Sequence, residues 1–192
     1  LVDQGYRLLA TGEMGIGNTT TSAAVASVLL SREAEEVTGR GAGLSTEGLR
    51  RKVDAIRRGI AVNRPDASDP VDTVSKVGGL DIAGLMGVFL GGALYHVPVL
   101  IDGFISSVSA LAAARLCPAA LDYMLASHAS NEPAGKMVLE ALGLEPFLYA
   151  RMCLGEGTGA VAVIPLLDMA LAMYREMSSF SDINIDAYEH LT

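Results

Sequence analysis

The stretch Thr11-Gly12-Glu13-Met14-Gly15-Ile16-Gly17-Asn18-Thr19-Thr20-Thr21 constrains the chain more than any other, because of what flanks it. Before it lies an apolar run with strand character, Tyr6 to Ala10, and after it an alanine-rich run with helix character, Ser22 to Leu30. A strand that ends in glycines and opens a helix gathers unpaired backbone N–H groups and the positive end of a helix dipole at one point. An anion suits that point. Gly12, Gly15 and Gly17 allow a close approach of the backbone to a ligand, and Asn18 or Thr19 suits the N-cap. The competing reading is a capped strand-to-helix turn that binds nothing, and spacing alone leaves both open. The loop lacks the Gly-Lys-Ser/Thr ending of a Walker loop, and its Gly-x-x-Gly-x-Gly order is not the dinucleotide fingerprint.

The rest of the chain alternates helical and strand patterns, which predicts an α/β fold. Glu33, Glu35 and Glu36 read as a solvated acidic turn. Ser45 or Thr46 then caps a helix whose apolar Leu49, Val53, Ile56 and Ile60 recur at helical spacing. Its other face carries Arg50, Arg51, Lys52, Arg57 and Arg58, a pattern that by itself describes a solvated face. Two further helices are expected, from Pro70 towards Val77 and from Asp81 towards Tyr95. His96 to Ile101 reads as a central strand delivering Asp102 and Gly103 at its C-terminal edge, where open α/β sheets hold ligands. Asp102 equally suits the cap of a helix from Phe104 to Arg115.

Leu121 to Ala126 reads as another strand, ending in Ser127-His128-Ala129-Ser130, and Glu132-Pro133 starts a helix that Gly143 stops. His128 has no Ser/Asp partner spacing for a triad and reads as a structural hydrogen-bonder. Phe147 to Cys153 is the last expected strand. It feeds a second glycine turn, Gly155-Glu156-Gly157-Thr158-Gly159, and an apolar helix kinked or restarted at Pro165 and ending near Met177. Glu156, flanked by glycines, leaves room for a ring to approach its carboxylate, although an exposed turn glutamate has the same pattern.

Composition bounds the partners. With 14 basic and 22 acidic residues the net charge is -8, so a nucleic-acid surface is not expected. Cys117 and Cys153, without metal-ligand spacing, read as core thiols in a reducing compartment, and no metal site is expected. The run Ile82 to Ile101 is long enough to span a membrane, but Gly91-Gly92, His96 and Pro98 interrupt it and no basic cluster flanks it. Helix, turn and buried strand explain it better, and no membrane partner is expected. No signal peptide opens the chain, and a start at Leu1 suits an excised piece or a trimmed chain.

The segment Gly-Glu-Met-Gly-Ile-Gly-Asn-Thr-Thr resembles the signature of the nicotinate-nucleotide:5,6-dimethylbenzimidazole phosphoribosyltransferases, which make the lower-ligand nucleotide of cobalamin. The likeness continues through Thr38-Gly39-Arg40-Gly41, Val77 to Gly84, Asp102 to Ser107, Ala126-Ser127-His128 and Leu154 to Ala160, in the family's order. It implies a Rossmann-like open, mostly parallel sheet with helices on both faces, lacking most of a smaller helical domain. Residues 1–177 would form the large domain and 178–192 a tail belonging to the smaller one. Family members are longer, and their N-terminal portion is absent before this first signature.

The resemblance implies nicotinate mononucleotide and a benzimidazole base as substrates, no cofactor, a homodimer and a cytoplasmic location. Glu156 stands at the family's general base. The substrate phosphate falls to the backbone of Gly15, Gly17 and Asn18 with Lys52 and Ser130. Glu13 has a secondary place, at a ribose hydroxyl or the oxocarbenium-like centre; Leu154 serves the base pocket, and Asp102, Gly41, Gly155 and Gly157 line the site. Two alternatives remain: a catalytically silent fragment that binds nucleotide or phosphate, and a dinucleotide-binding oxidoreductase. The second requires an acidic residue about twenty positions after the loop, and Glu33 to Glu36 lie in a polar turn instead.

Overall fold

A computed structural model describes residues 1–186. Three parallel strands form the sheet in the order β1 (Leu9–Ala10), β2 (Val99–Ile101), β3 (Met124–Ala126), with Leu9 opposite Val99 and Leu100 opposite Leu125. Every residue of β2 is buried, as the centre of a parallel sheet requires. The fold is α/β, as expected, and the strands are shorter than their apolar runs. The β1 run pairs only from Leu9. Leu121–Tyr123 belongs to a 3₁₀ turn, Pro118–Tyr123, which begins on a proline whose fixed φ favours helical geometry. The expected strand Phe147 to Cys153 is reduced to a single bridge between His128 and Leu148; the Phe147 and Leu148 N–H groups donate to Ala126 and Ser127, and Arg151 then turns the chain to φ 51°.

The connection from β1 to β2 holds α1 (Thr19–Leu30), α2 (Ala34–Val37), α3 (Thr46–Asn63), α4 (Pro70–Val77) and α5 (Leu80–Leu94); α6 (Phe104–Leu116) joins β2 to β3. Helices α7 (Pro133–Leu142) and α8 (Thr158–Glu176) follow. Local chemistry explains their starts. The Ser45 hydroxyl accepts from the Gly48 N–H at 3.1 Å, and the Asp69 carboxylate caps α4 through Val71 and Asp72, with Pro70 in its first turn. Gly143, at φ 68°, ends α7. The acidic turn at Glu33 is in fact the short helix α2, closed by a reciprocal capping box between Glu33 and Glu36.

The core lies where α1 and α6 pack. Their small buried residues, Ala23 to Ala26 and Ala110 to Ala113, let other elements approach closely. Helix α5 reaches β2 through Gly92, where a Cβ would lie 2.4 Å from Cγ2 of Val99, so any side chain there would overpack the core. The chain forms two compact units, Leu1–Ala162 and a second that begins at Val163, within α8.

Candidate active site

The two glycine turns meet. A Cβ on Gly12 would stand 2.4 Å from the Gly157 nitrogen, and the Glu156 N–H donates to the Glu13 carbonyl at 2.9 Å. Gly15, Gly155 and Gly157 all have positive φ, at 79°, 78° and 81°. At Gly155 and Gly157 only glycine meets both demands, a close backbone contact and left-handed geometry; Gly15 faces the second alone.

Asp102 fastens this junction from behind. Its carboxylate is 2% exposed and accepts from the N–H groups of Gly157 at 3.1 Å, Gly159 at 2.8 Å and Ala160 at 3.2 Å. It therefore caps α8, not α6, whose N-cap is Gly103. A carboxylate at a helix start satisfies orphan donors and opposes the dipole. His128 packs beside it. A Cβ on Gly159 would lie 1.9 Å from His128 Nδ1, which sits 3.0 Å from Ser127 Oγ. Burial holds the His128 imidazole below its ordinary pKa, and the nearby Asp102 charge opposes that effect more weakly.

In front of the junction is a cavity of about 420 Å³. Glu13, Gly15, Gly41, Asp102, Ser130, Leu154 and Gly155 line it, with Met14, Ile16, Thr19, Phe104, Ser106, His128, Glu132 and Cys153. Three helices start at its wall: α1 at Thr19, α6 at Phe104 and α7 after Glu132. None of their N-cap residues, Asn18, Gly103 and Glu132, makes a side-chain cap bond. The positive ends of three helix dipoles thus converge on one space. Met14, Ile16 and Leu154 are well exposed and give the rim an apolar face. Cys153 is exposed on this wall and is not the core thiol expected, whereas Cys117 is partly buried and packs against the core.

Other expected residues stand differently. The Gly15 N–H is already taken by the Glu13 carboxylate at 2.5 Å. Gly17 and Asn18 fall outside the cavity lining, and the Asn18 side-chain amide donates to Asp81 at 2.6 Å. Glu156 is exposed at φ 59° and also outside the lining, one residue beyond Gly155. Gly157 is buried and donates to Asp102. Lys52 is buried, not part of a solvated face; its Nζ donates to Thr19 Oγ1 at 2.9 Å and to the Gly39 carbonyl at 3.0 Å. It stands behind Gly41, whose Cβ would lie 3.8 Å from Nζ. Burial pushes the Lys52 ammonium below its ordinary pKa, and the Glu132 charge pulls it back in part. Among the described residues no cluster of His, Cys, Asp or Glu has the geometry to hold a metal.

The family model described as Phosphoribosyltransferase matches residues 1–185. A nicotinate-nucleotide–dimethylbenzimidazole phosphoribosyltransferase from Acetivibrio thermocellus is 54% identical over 186 residues, covering 97% of this chain and 53% of the relative. One of the same name from Ruminiclostridium cellulolyticum is 50% identical over 191 residues. The chain belongs to the nicotinate-nucleotide–dimethylbenzimidazole phosphoribosyltransferase family. The crystal structure of CobT from Thermus thermophilus superimposes with a TM-score of 0.90 at 40% identity, covering 96% of this chain and 55% of that one. The chain thus spans about half the length of these phosphoribosyltransferase relatives.

Within this phosphoribosyltransferase fold, the motif reading overlooked Thr19, Glu132 and Ser106 as wall residues; His128, expected as a structural hydrogen-bonder, contacts Ser127 Oγ and also lines the cavity. Thr19 and Glu132 had a signal, each standing at the start of an expected helix next to a named site residue. Ser106 had a signal only in the resemblance, which includes Asp102 to Ser107, because its place on the wall follows from the way α6 leaves β2.

Proposed function

We propose that this chain carries the large-domain half of an enzyme that moves the 5-phosphoribosyl group of nicotinate mononucleotide to 5,6-dimethylbenzimidazole. The products are α-ribazole 5′-phosphate and nicotinate, a step of cobalamin synthesis. The observation that carries this reading is the convergence of α1, α6 and α7 by their N-termini on a cavity with an apolar rim. Each helix end favours an anion by about 0.3–1 kcal/mol. Together with the Ser130 hydroxyl and Lys52 behind Gly41, they suit a phosphate that fixes where C1′ lies. Met14, Ile16 and Leu154 suit an aromatic base.

The reaction asks for one base. Nicotinate departs from a cationic pyridinium nitrogen as a neutral ring, so no acid is needed to protonate it, unlike the leaving group of a glycosidase. The benzimidazole attacks C1′ through one nitrogen, and its other N–H becomes acidic as positive charge develops. A carboxylate at that N–H stabilises the transition state more than the ground state. Glu156 takes this role. It sits on the turn tied to Glu13, so both carboxylates move with the junction of the two glycine turns. Glu13 leaves the Gly15 N–H and turns to the ribose when substrate occupies the cavity, freeing that donor for the phosphate. Attack opposite the departing pyridine inverts the anomeric centre from β to α.

The chain is read as a cytoplasmic homodimer subunit. One described helix, Thr158–Glu176, is long and apolar enough to cross a membrane. Its first turn is tied to Asp102 and its middle carries Asp168, which we read as a protein-packing helix. The alternative is a silent fragment that binds mononucleotide without transfer; the exposed Glu156 and the half-length match favour it. Nicotinate release from nicotinate mononucleotide and dimethylbenzimidazole separates the two. Glu156→Gln in a chain completed to the relatives' length should bind mononucleotide normally and lose at least about a hundredfold in turnover. Undiminished transfer removes Glu156 as the base.

A further inference from the structure

Glu132, the N-cap residue of α7, lines the cavity, yet its Oε2 is buried without a hydrogen-bond partner among the described residues. A buried carboxylate oxygen with no donor calls for a compensating charge. Oε2 presses on Gly39, where a Cβ would stand only 1.8 Å away. The carbonyl of the same glycine accepts from Lys52 Nζ. Glu132 and Lys52 thus flank one glycine, and among the described residues no direct ion pair joins them.

Most carboxylates on the elements packed with α3 have other partners, and Asp54 on α3, which has no ion pair among the described residues, does not act on Lys52. On α2, Glu35 pairs with Arg57 and Glu36 with Arg32; on α4, Asp72 pairs with Lys76; on α3 itself, Glu47 pairs with Arg51. Glu132 is the carboxylate whose field reaches Lys52. Thr19 and Gly39 take two of the three ammonium protons, which leaves one donor.

We infer that Glu132 is a positioning residue: across Gly39 its carboxylate anchors the Lys52 ammonium behind the cavity wall, so that an entering phosphate meets a fixed cation. A direct ion pair would have to break for the phosphate to bind. Separation by one glycine keeps the attraction without that competition. The phosphate part of this inference rests on the function proposed above, and the anchoring of Lys52 does not.

The test needs no ligand for its first arm. The chain has three lysines, Lys52, Lys76 and Lys136, so each ¹³Cε resonance is assignable from Lys→Arg variants. In Glu132→Gln the Lys52 resonance should titrate at lower pH than in the parent chain, while Lys76 and Lys136 stay in place. Loosened packing alone would expose Lys52 and move it upward, towards the other two; that result, or no movement, overturns the inference. Glu132→Asp, which keeps the charge one methylene further back, should move Lys52 the same way by less. It stands in if Glu132→Gln does not fold, and no movement there also counts against the inference. In the second arm, nicotinate mononucleotide binding is measured by calorimetry. Glu132→Gln should lose roughly tenfold in affinity and Glu132→Asp less, in the same order as their effects on the Lys52 titration. Undiminished affinity in Glu132→Gln overturns the inference. A parent chain that binds no mononucleotide overturns the reading of the cavity instead, and the lysine titration still decides the anchoring.

Discussion

At the scale of single residues, His128 gives the clearest prediction. It is 3% exposed, with Ser127 Oγ and the Asp102 charge as its polar neighbours, and burial depresses its pKa. The unfolded chain therefore binds a proton near about pH 6.5 while the folded chain does not. Between the depressed value and about 6.5 the unfolded state holds more protons, so stability rises with pH across that window and falls as pH drops through it. Urea unfolding should show weaker stability at about pH 5.5 than at about pH 7.5, and His128→Gln should flatten that difference. Equal slopes in both proteins would exclude His128 as the source. Asp66, Asp72 and Asp182 do not confuse the measurement. Their carboxyls are lowered by hydrogen bonds from Ser68, from the Asp66 N–H and from Ser179 respectively, so they titrate below the window.

At the scale of elements, the decisive link is Asp102 to α8. Truncation to alanine leaves three N–H groups at the start of α8 without acceptors, in a region where Gly157, Gly159 and Ala160 are buried. Buried orphan donors cost about 1–3 kcal/mol each, and partial access of water reduces the sum. Asp102→Ala should therefore lose on the order of 3 kcal/mol in denaturant unfolding, and Asp102→Asn, which keeps one acceptor oxygen, clearly less. A loss below about 0.5 kcal/mol would mean that the cap carries no weight. This link also marks the limit of what the sequence disclosed. Helix starts were legible wherever the signal was local, as at Ser45 and Asp69-Pro70, and so was the helix end at Gly143. The sequence placed Asp102 at the C-terminal edge of β2, but its neighbour Phe104 suggested the wrong helix, because the true partner lies 55 residues on. Both glycine turns were legible for the same local reason. That Lys52 lies buried behind Gly41 was not, since its arginine-rich helix reads as solvated and only the packing of α3 on α1 turns that one side chain inward.

At the scale of the whole molecule, two fields oppose each other. The chain carries a net charge of -8, while three helix ends offer partial positive charge to a cavity whose lining also holds the carboxylates of Glu13, Asp102 and Glu132. Nicotinate mononucleotide is itself an anion of charge about -2, because its pyridinium and carboxylate cancel and the phosphate remains. At roughly 20 Å in water, eight charges repel two by about 3 kcal/mol without salt, and ions with a Debye length of about 8 Å remove most of that. The helix-end field acts only within the first turn and is not reached until the ligand has arrived. Encounter is then governed by the body of the protein and retention by the cavity. Stopped-flow association should quicken several-fold between about 10 and about 150 mM salt, concentrations at which the screening length falls from about 30 to about 8 Å, while dissociation changes little. Slower association at higher salt would show that the cavity's field extends beyond the body's, and would place the dominant charge at the site rather than on the surface around it.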